Sequence, residues 1–308
     1  IEATKNVVTQ GSKLIAESDI KLSSAQGNVD LQAVVDSESV KNTANLNGGL
    51  FGLLAALRGN NSQSEDVKGV QINAGGNALV QANQGDVKAQ SLQLQASQQA
   101  AVVAGGAVEI TSEQAYSRSQ RGSDVRQSLV TERSRISGDQ GVTVYGQNSV
   151  QLDAATLKAT QGDVSVISSG NVSLGVNTDT QQHNWTTSST SSSWAGLNSS
   201  TTTTQHETLD KTAQVTQLEG QTVKVLGNNV KSEGAKLDGA KLVQVEGVNN
   251  TQLYAVQDVH QTTQSSQTSS SFVGISYSKS SSTDSSFKSE ALGTKLTSDQ
   301  AIQVGVGA

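Results

Sequence analysis

Short bursts of aliphatic residues recur along this chain at a nearly constant spacing, and they limit the folds open to it. They include Val70-Gln71-Ile72, Leu92-Gln93-Leu94 and Val108-Glu109-Ile110. Each burst alternates with the period of two expected for a strand that buries one face. The bursts lie several residues apart, so that three of them fill roughly 20 residues, one coil of a β-solenoid. Strands this short need stacked neighbours, because a single coil is not stable alone.

The composition suits a thin core of stacked coils. Hydrophobic residues make up 34% of the 308 residues and aromatic residues 3%, and the chain has no Pro, Cys or Met. Disorder is the alternative for so few hydrophobic residues, but the net charge is only −6. The lack of Cys suits a chain that crosses an oxidising compartment unfolded. The acidic pI of about 5.1 argues against nucleic acid as a partner.

The predicted corners repeat as well. Three nearly identical segments read Gln26-Gly27-Asn28-Val29, Gln84-Gly85-Asp86-Val87 and Gln161-Gly162-Asp163-Val164, with a shorter copy at Gly170-Asn171-Val172. Gly, Asn and Asp tolerate the left-handed backbone that we expect at a sharp corner. The Val that follows then begins the next inward-facing strand.

Four polar stretches interrupt the coils, at about residues 36–66, 112–138, 178–212 and 258–290. Residues 186–204 contain 14 Ser or Thr among 19. Such runs predict exposed two-stranded ribbons that leave the solenoid and return to it. A disordered linker is the alternative interpretation.

Three of these excursions carry an apolar-Gly-apolar tip, and the second has Arg121-Gly122-Ser123-Asp124 instead. Exposed apolar clusters often mark contact with a partner or a membrane. In the alternative, each tip packs on its neighbour or against the solenoid. The candidate contact residues are Leu50, Phe51, Leu53, Trp194, Leu197, Phe272 and Ile275.

The sequence offers little chemistry. Glycoside cleavage needs two positioned carboxylates, and the adjacent pair Glu65-Asp66 falls in an excursion, where we expect a solvated loop. His183 and His260 occupy similar phases of successive excursions and could bind a metal with Asp179 or Asp258, although a polar ladder is the favoured interpretation. Nucleophile-elbow and phosphate-loop motifs are absent from the sequence. We therefore predict no catalytic, cofactor or metal site.

The aliphatic strands, Gln-Gly-Asn/Asp-Val corners and Ser/Thr-rich excursions together resemble the haemagglutinin repeats of large two-partner-secretion exoproteins. These include filamentous haemagglutinin adhesins and the effectors of contact-dependent growth inhibition. The segments ending in Trp194 and Phe272 look like the second repeat region of such effectors. The resemblance implies a right-handed parallel β-helix over residues 1–308, as one repeat domain excised from a larger protein. It also implies export to the surface of a Gram-negative bacterium through an outer-membrane secretion partner.

The expected function is a non-catalytic segment that helps deliver a C-terminal toxin into target bacteria after receptor binding. The alternative is an adhesin stalk that binds host-cell or biofilm glycans, and a third interpretation is a β-helix polysaccharide lyase or a phage-type fibre. The expected partners are the secretion partner of the exporting cell and the outer membrane or a surface receptor of the target cell. The chain is expected to be a monomeric rod without cofactors.

Overall fold

The computed structural model describes residues 1–42 and 60–306, and every regular element in them is a β-strand. Parallel strands stack into a three-sided solenoid, here called the rod. Antiparallel hairpins leave the rod at one corner and form a separate antiparallel sheet, here called the fin. The all-β parallel solenoid with hairpin excursions predicted from the sequence is confirmed.

The rod has three parallel sheets, and each coil contributes one strand to each of them. The first sheet contains β1 (Glu2–Ala3), β4 (Ile20–Ser24), β9 (Ala78–Ala82), β12 (Gln99–Ala104), β17 (Gly141–Gly146), β20 (Asp163–Ser168) and β28 (Ala301–Val306). The second contains β2 (Val7–Gln10), β5 (Val29–Gln32), β10 (Val87–Gln90), β13 (Ala107–Thr111), β18 (Ser149–Asp153) and the start of β21 (Asn171–Ser193). The third contains β3 (Lys13–Ala16), β8 (Gln71–Ala74), β11 (Gln93–Ala96), β16 (Arg135–Gly138), β19 (Thr156–Ala159) and β27 (Lys295–Thr297). Two long bent strands, β23 (Gln217–Glu233) and β24 (Lys236–Tyr254), turn corners and pair in all three sheets.

The core of the rod consists of columns of aliphatic side chains, with at least one column on each sheet. Directly paired positions of successive coils carry the same kind of residue, and their side chains are buried. The column of the first sheet is Leu22, Val80, Val102, Val144, Val166, Val225 and Val245. The column of the third sheet is Ile72, Leu94, Ile136, Leu157, Leu218 and Leu237. Medium-sized aliphatic residues fill this narrow interior, which explains why the chain manages with few aromatic residues.

The corner glycines are required for close approach and not for a left-handed backbone. Gly27, Gly85 and Gly162 have no positive φ, so the reason expected from the sequence is wrong. A Cβ added to Gly85 would lie 2.4 Å from the carbonyl oxygen of Gly27, and one added to Gly162 would lie 1.8 Å from that of Gln140. The stacked coils therefore leave no room for a side chain at these positions.

Asn and Asp beside these glycines bond the coils together. Asn6 Oδ1 accepts a hydrogen bond of 2.9 Å from the Asn28 N–H, and Asn28 Oδ1 accepts one of 2.9 Å from the Asp86 N–H. Asp86 Oδ1 in turn accepts one of 2.8 Å from the Ala107 N–H. The side chains thus satisfy backbone donors at the corner, where the parallel ladder is interrupted.

The corner between the second and third sheets alternates between two forms. In every second coil a single residue with positive φ makes the turn, and these residues are Gly11, Ser91, Ala154 and Gly234. In the coils between them a hairpin leaves the rod at the same corner. Coils without a hairpin advance the chain by 19 to 22 residues, and coils with one advance it by 42 or by 58 to 61.

The four hairpins pair with one another into one continuous antiparallel sheet, the fin. Its strand order is β6, β7, β14, β15, β21, β22, β25, β26. The strands are β6 (Val34–Asn42), β7 (Asn60–Lys68), β14 (Glu113–Arg121), β15 (Asp124–Glu132), residues 176–193 of β21, β22 (Asn198–Val215), β25 (Val256–Phe272) and β26 (Ile275–Leu292). The second hairpin ends at Glu132 and not near residue 138, because Arg135–Gly138 is a strand of the rod with Ile136 buried.

The alternation of coils follows from strand spacing. Neighbouring strands lie about 4.7–4.9 Å apart in parallel and antiparallel sheets alike. Two coils therefore advance the rod by the width that one two-stranded hairpin adds to the fin. A hairpin in every coil would need twice the available width. One hairpin in every second coil lets both sheets grow in step.

Candidate interaction surface at the far end of the fin

The third and fourth hairpins are about twice as long as the second. Residues 176–193 of β21 pair with β22 over 18 positions, whereas β14 and β15 pair over nine. At about 3.3 Å per residue, the long hairpins extend about 60 Å from the rod. No other element among the described residues covers a face of the fin, so its strands are held by backbone hydrogen bonds and by cross-strand contacts.

The tips of the two long hairpins lie side by side. Asn198 of β22 is directly opposite Phe272 of β25. The Val273 N–H donates a 2.7 Å hydrogen bond to the Leu197 carbonyl, and the Leu197 N–H donates one of 3.0 Å to the Trp194 carbonyl. The backbone thus joins two tips that lie 78 positions apart in sequence (Trp194 and Phe272) into one surface.

This surface is apolar and exposed, and we call it the apolar strip. Trp194 is 81% exposed and Ile275 74%. Its full membership is Trp194, Leu197, Phe272, Val273, Ile275 and Tyr277. Tyr277 enters because a register shift in the fourth hairpin leaves it without a direct cross-strand partner. Four of the candidate contact residues identified in the sequence lie in this strip, while Leu50, Phe51 and Leu53 lie outside the described residues.

The backbone of the strip is strained. Val273 has φ +48°, and Trp194 and Ala195 have φ +55° and +50°. A two-residue hairpin turn with positive φ normally takes Asn or Gly, and a β-branched residue in this region is an outlier. Such outliers cluster at functional sites. The turn of the fourth hairpin thus carries Val273 at a position where Asn or Gly would adopt the same backbone conformation with less strain.

The segments of the long hairpins nearest the tips carry no charge. Residues 184–205 and 261–278 contain no Asp, Glu, Lys, Arg or His, and the first charged residue after the fourth tip is Lys279. Ser and Thr hydroxyls pair across the strands, as in Thr202–Thr268 at 2.9 Å and Thr204–Ser266 at 2.9 Å. The apolar strip is thus bordered by neutral, internally bonded polar side chains.

The four residues considered for a metal site make hydrogen bonds between neighbouring strands of the fin. Asp179 Oδ1 accepts a 2.7 Å hydrogen bond from the Thr131 N–H, and Asp258 Oδ1 accepts one of 2.7 Å from the Ala213 N–H. His183 and His260 lie on β21 and β25, and β22 separates them. Among the described residues, no group of three or more His, Cys, Asp or Glu could hold a metal ion.

Each of these histidines pairs with a carboxylate. His183 Nε2 and Asp124 Oδ1 are 3.0 Å apart, and His260 Nδ1 is hydrogen-bonded to Asp210. His183 also stacks on Trp185 with ring centroids 4.3 Å apart. This polar and aromatic row in the middle of the fin agrees with a ladder role.

Trp185 was not singled out from the sequence. It also stacks on His206 of the neighbouring strand, with centroids 4.7 Å apart and an angle of 9° between the rings. The period-two alternation places Trp185 on the same face as His183, but it does not give the register that brings His206 opposite. That register follows only from the length of the hairpin turn.

Glu65 and Asp66 lie on a strand of the fin and not in a loop. Glu65 Oε2 accepts a 3.1 Å hydrogen bond from the Tyr116 N–H of the next hairpin. Asp66 lies 3.7 Å from the Lys68 ammonium and is exposed. Glu65 therefore helps to join the first two hairpins, whereas Asp66 contacts only its own strand in the described residues.

A partly buried arginine connects the fin to the rod. Arg133 Nε donates a 3.0 Å hydrogen bond to the Ala154 carbonyl, and its guanidinium also bonds the Val215 carbonyl. Burial lowers the pKa of the Arg133 guanidinium, and the nearby charge of Arg135 lowers it further. The side chain connects the end of the second hairpin to the base of the third.

The described part of the chain contains no helix long and apolar enough to cross a membrane. No curated protein matches the chain, and no solved structure matches it. Residues 58–130 match the family described as Hemagglutinin repeat. This stretch includes β7, the second hairpin up to Val130 and the coils between them.

The hemagglutinin repeat is a structural, adhesin-type family that is not known for enzymatic activity. Its members are found in secreted or cell-surface bacterial exoproteins. In this chain the match spans a hairpin of the fin and the coils of the rod that carry it. Residues 58–130 are therefore a hemagglutinin-repeat region, which indicates a structural repeat of a filamentous-haemagglutinin-like exoprotein.

Proposed function

We propose that this chain is a non-catalytic rod-and-fin segment of an exoprotein on the surface of a Gram-negative bacterium. It helps to deliver a C-terminal toxin into target bacteria after the exoprotein has bound its receptor. The observation that carries the proposal is the apolar strip, which the fin holds about 60 Å from the rod. A purely structural stalk would gain nothing from exposed Trp194 and Phe272 at that distance.

The strip is proposed to enter the interfacial layer of the target outer membrane. Trp and Tyr favour that layer, because one part of each side chain is apolar and another is polar. Charged groups would resist such insertion, and residues 184–205 and 261–278, which surround the two tips, have none. Within these segments the antiparallel pairing satisfies most backbone donors and acceptors, which a lipid environment requires.

The rod suits export through an outer-membrane secretion partner. In the part of the chain that the structure describes, the rod strands of each coil pair only with those of neighbouring coils, so coils can fold one after another as the chain emerges. The chain has no Cys that could cross-link on the way. The rod then acts as a spacer that carries fin and cargo towards the target cell.

Adhesion to glycans is the second candidate function, and one groove favours it. An open groove of about 630 Å³ crosses one face of the fin. Its lining includes Arg126, Gln181, His183 and Asp210, which offer donors and acceptors of the kind that sugars need. In this alternative the polar face of the fin makes the contact and the strip does not.

The experiment replaces Trp194, Leu197, Phe272 and Ile275 by Ser in the exported exoprotein. Surface display, target-cell binding and target-cell intoxication are scored separately. We expect normal display and binding with loss of intoxication. The matched control replaces two exposed apolar residues near the rod, Val35 and Leu129, by Ser and should leave all three unchanged.

Two outcomes would contradict the proposal. Loss of binding with normal display would favour adhesion as the function. Unchanged intoxication would show that the apolar strip has no part in delivery.

A further inference from the structure

The outer parts of the first two hairpins carry positive charge only. Residues 39–64 contain two cations and residues 114–123 contain two more, while neither segment contains Asp or Glu. The whole chain, in contrast, has a net charge of −6. A local excess of one sign of charge attracts ligands of the opposite sign. The four cations are Lys41, Arg58, Arg118 and Arg121.

Two of these cations lie on the same face of the fin, around an open pocket of about 210 Å³. Lys41 of β6 is directly opposite Asn61 of β7, and Arg118 of β14 is directly opposite Gln63 of β7. Directly opposite residues share a face, and so do residues two positions apart on one strand. The Cα atoms of Lys41 and Arg118 are therefore about 12 Å apart, on the two sides of β7. Their long side chains can reach one ligand between them.

The pocket is lined by hydrogen-bond donors. Besides the ammonium and guanidinium groups, it contains the side-chain amides of Asn61, Gln63 and Gln120 and the hydroxyl of Ser39. The Arg118 guanidinium donates a 3.4 Å hydrogen bond to Gln120 Oε1, on the same strand. Among the described residues that line the pocket, there is no carboxylate. Two cations and several neutral donors together favour an anion as the ligand.

The carboxylates near the pocket leave both cations free. Glu65 lies on the same face of β7, two positions from Gln63, and its Oε2 accepts a hydrogen bond of 3.1 Å from the Tyr116 N–H. Neither Lys41 nor Arg118 makes an ion pair with any residue that the structure describes. The sequence of residues 43–59 contains no Asp or Glu that could neutralise them.

We propose that this pocket binds a phosphate group, which Lys41 and Arg118 contact from two sides. A phosphate monoester carries about two negative charges at neutral pH and has three strong acceptor oxygens. The planar guanidinium of Arg binds two of these oxygens at once, while the ammonium of Lys acts as a point charge. The amides of Asn61 and Gln63 lie between the two cations and supply further donors. A carboxylate has one charge and two oxygens, so it would use fewer of these groups.

Phosphorylated lipid headgroups and soluble phosphate esters share this chemistry, and both are sources that the experiment separates. The proposal does not rest on the insertion of the apolar strip, because the strip lies on the third and fourth hairpins and the pocket on the first and second. It concerns a face of the fin and uses no free strand edge.

Phosphorus NMR of inorganic phosphate, recorded with increasing amounts of the 308-residue chain at constant ionic strength, tests the site itself. We expect saturable binding with a Kd of about 1 mM. Lys41→Gln combined with Arg118→Gln should raise the Kd about tenfold or more, because both charged donors are lost. Both side chains are exposed, so the circular dichroism spectrum should stay the same.

The matched control is Lys13→Gln combined with Arg135→Gln. It removes one Lys and one Arg from exposed positions on the third sheet of the rod, so the net charge changes by the same amount. The control should leave the Kd for phosphate unchanged. Absence of saturable phosphate binding, or equal weakening by the pocket variant and the control, would overturn the proposal.

Vesicles identify the source of the phosphate. The chain used here carries the four Ser substitutions in the apolar strip, so that the strip does not contribute to binding. We expect it to sediment with phosphatidylcholine vesicles that contain phosphatidic acid, whose headgroup is a phosphate monoester, and inorganic phosphate should compete. Phosphate binding without vesicle binding would instead assign the site to a soluble phosphate ester.

Discussion

At the scale of single residues, the corner beside the fin makes the strictest demand on the chain. Gly234 has φ +66° and lies directly beneath the base of the fourth hairpin. A Cβ at this position would lie 2.7 Å from Val256 Cγ2. Both the backbone conformation and the lack of space therefore require glycine here.

Gly234→Ala should lower the free energy of unfolding by about 1–3 kcal/mol, because it adds left-handed strain and a steric overlap. Gly293→Ala is the matched control, since a Cβ there meets nothing within 4 Å and its φ is not positive. Urea unfolding followed by circular dichroism measures both variants. Equal midpoints for the two would contradict this account of the corner.

The corner residues also show the limit of sequence reasoning at this scale. The Gln-Gly-Asn/Asp-Val segments correctly marked corners, and Val29 and Val87 do begin inward-facing strands. The left-handed positions are different residues, and two of them are Ser91 and Ala154. Nothing in the type of those residues signals positive φ, because the hairpin stacked above them imposes it.

At the scale of elements, each hairpin must return to the rod without leaving buried carbonyls unpaired. Thr216, which follows the third hairpin, is fully buried, and its Oγ1 lies 2.9 Å from the Leu152 carbonyl oxygen and 3.0 Å from that of Gly175. Ser134 occupies the same place after the second hairpin and donates a 2.7 Å hydrogen bond to the Thr111 carbonyl. A hydroxyl at the return thus bonds the hairpin to the coil below it.

Thr216→Val keeps the shape of the side chain but removes the donor, so unfolding should become easier by about 1–3 kcal/mol. Thr216→Ser keeps the hydroxyl and should cost clearly less. Urea midpoints of the two variants make the comparison. Equal urea midpoints for Thr216→Val and Thr216→Ser would show that the hydroxyl group is not what requires Thr at this position.

The sequence does not predict how the hairpins pair with one another. Alternating aliphatic bursts have a buried and an exposed face, so coil strands and their inward residues follow from pattern alone. The Ser/Thr-rich strands have two similar faces, and their sequence favours no particular register. That Phe272 lies beside Asn198 depends on hairpin lengths and on the pitch of the rod beneath. The sequence predicts the tips as candidate contact residues, but it does not predict that the two tips lie side by side in one strip.

At the scale of the whole molecule, the three-sided rod and the fin advance along one axis with a common strand spacing. The rod buries an aliphatic core, whereas the strands of the fin that the structure describes bury no such core and are held by pairing with one another and by contacts at the base. A thin exposed sheet buries little apolar surface and therefore gains little stability from its size. It does hold a small apolar surface about 60 Å from the rod. The delivery proposal follows from that arrangement, together with the hemagglutinin-repeat region.

Fluorescence of Trp194 tests the central claim most directly. The chain has two tryptophans, so Trp185→Phe leaves Trp194 as the single reporter at the end of the fin. The account predicts a blue shift of its emission when outer-membrane vesicles of target bacteria are added, because the indole moves from water into the interfacial layer. Unchanged emission in the presence of saturating vesicles would contradict it, since Trp194 would then remain in water at the membrane it is proposed to enter.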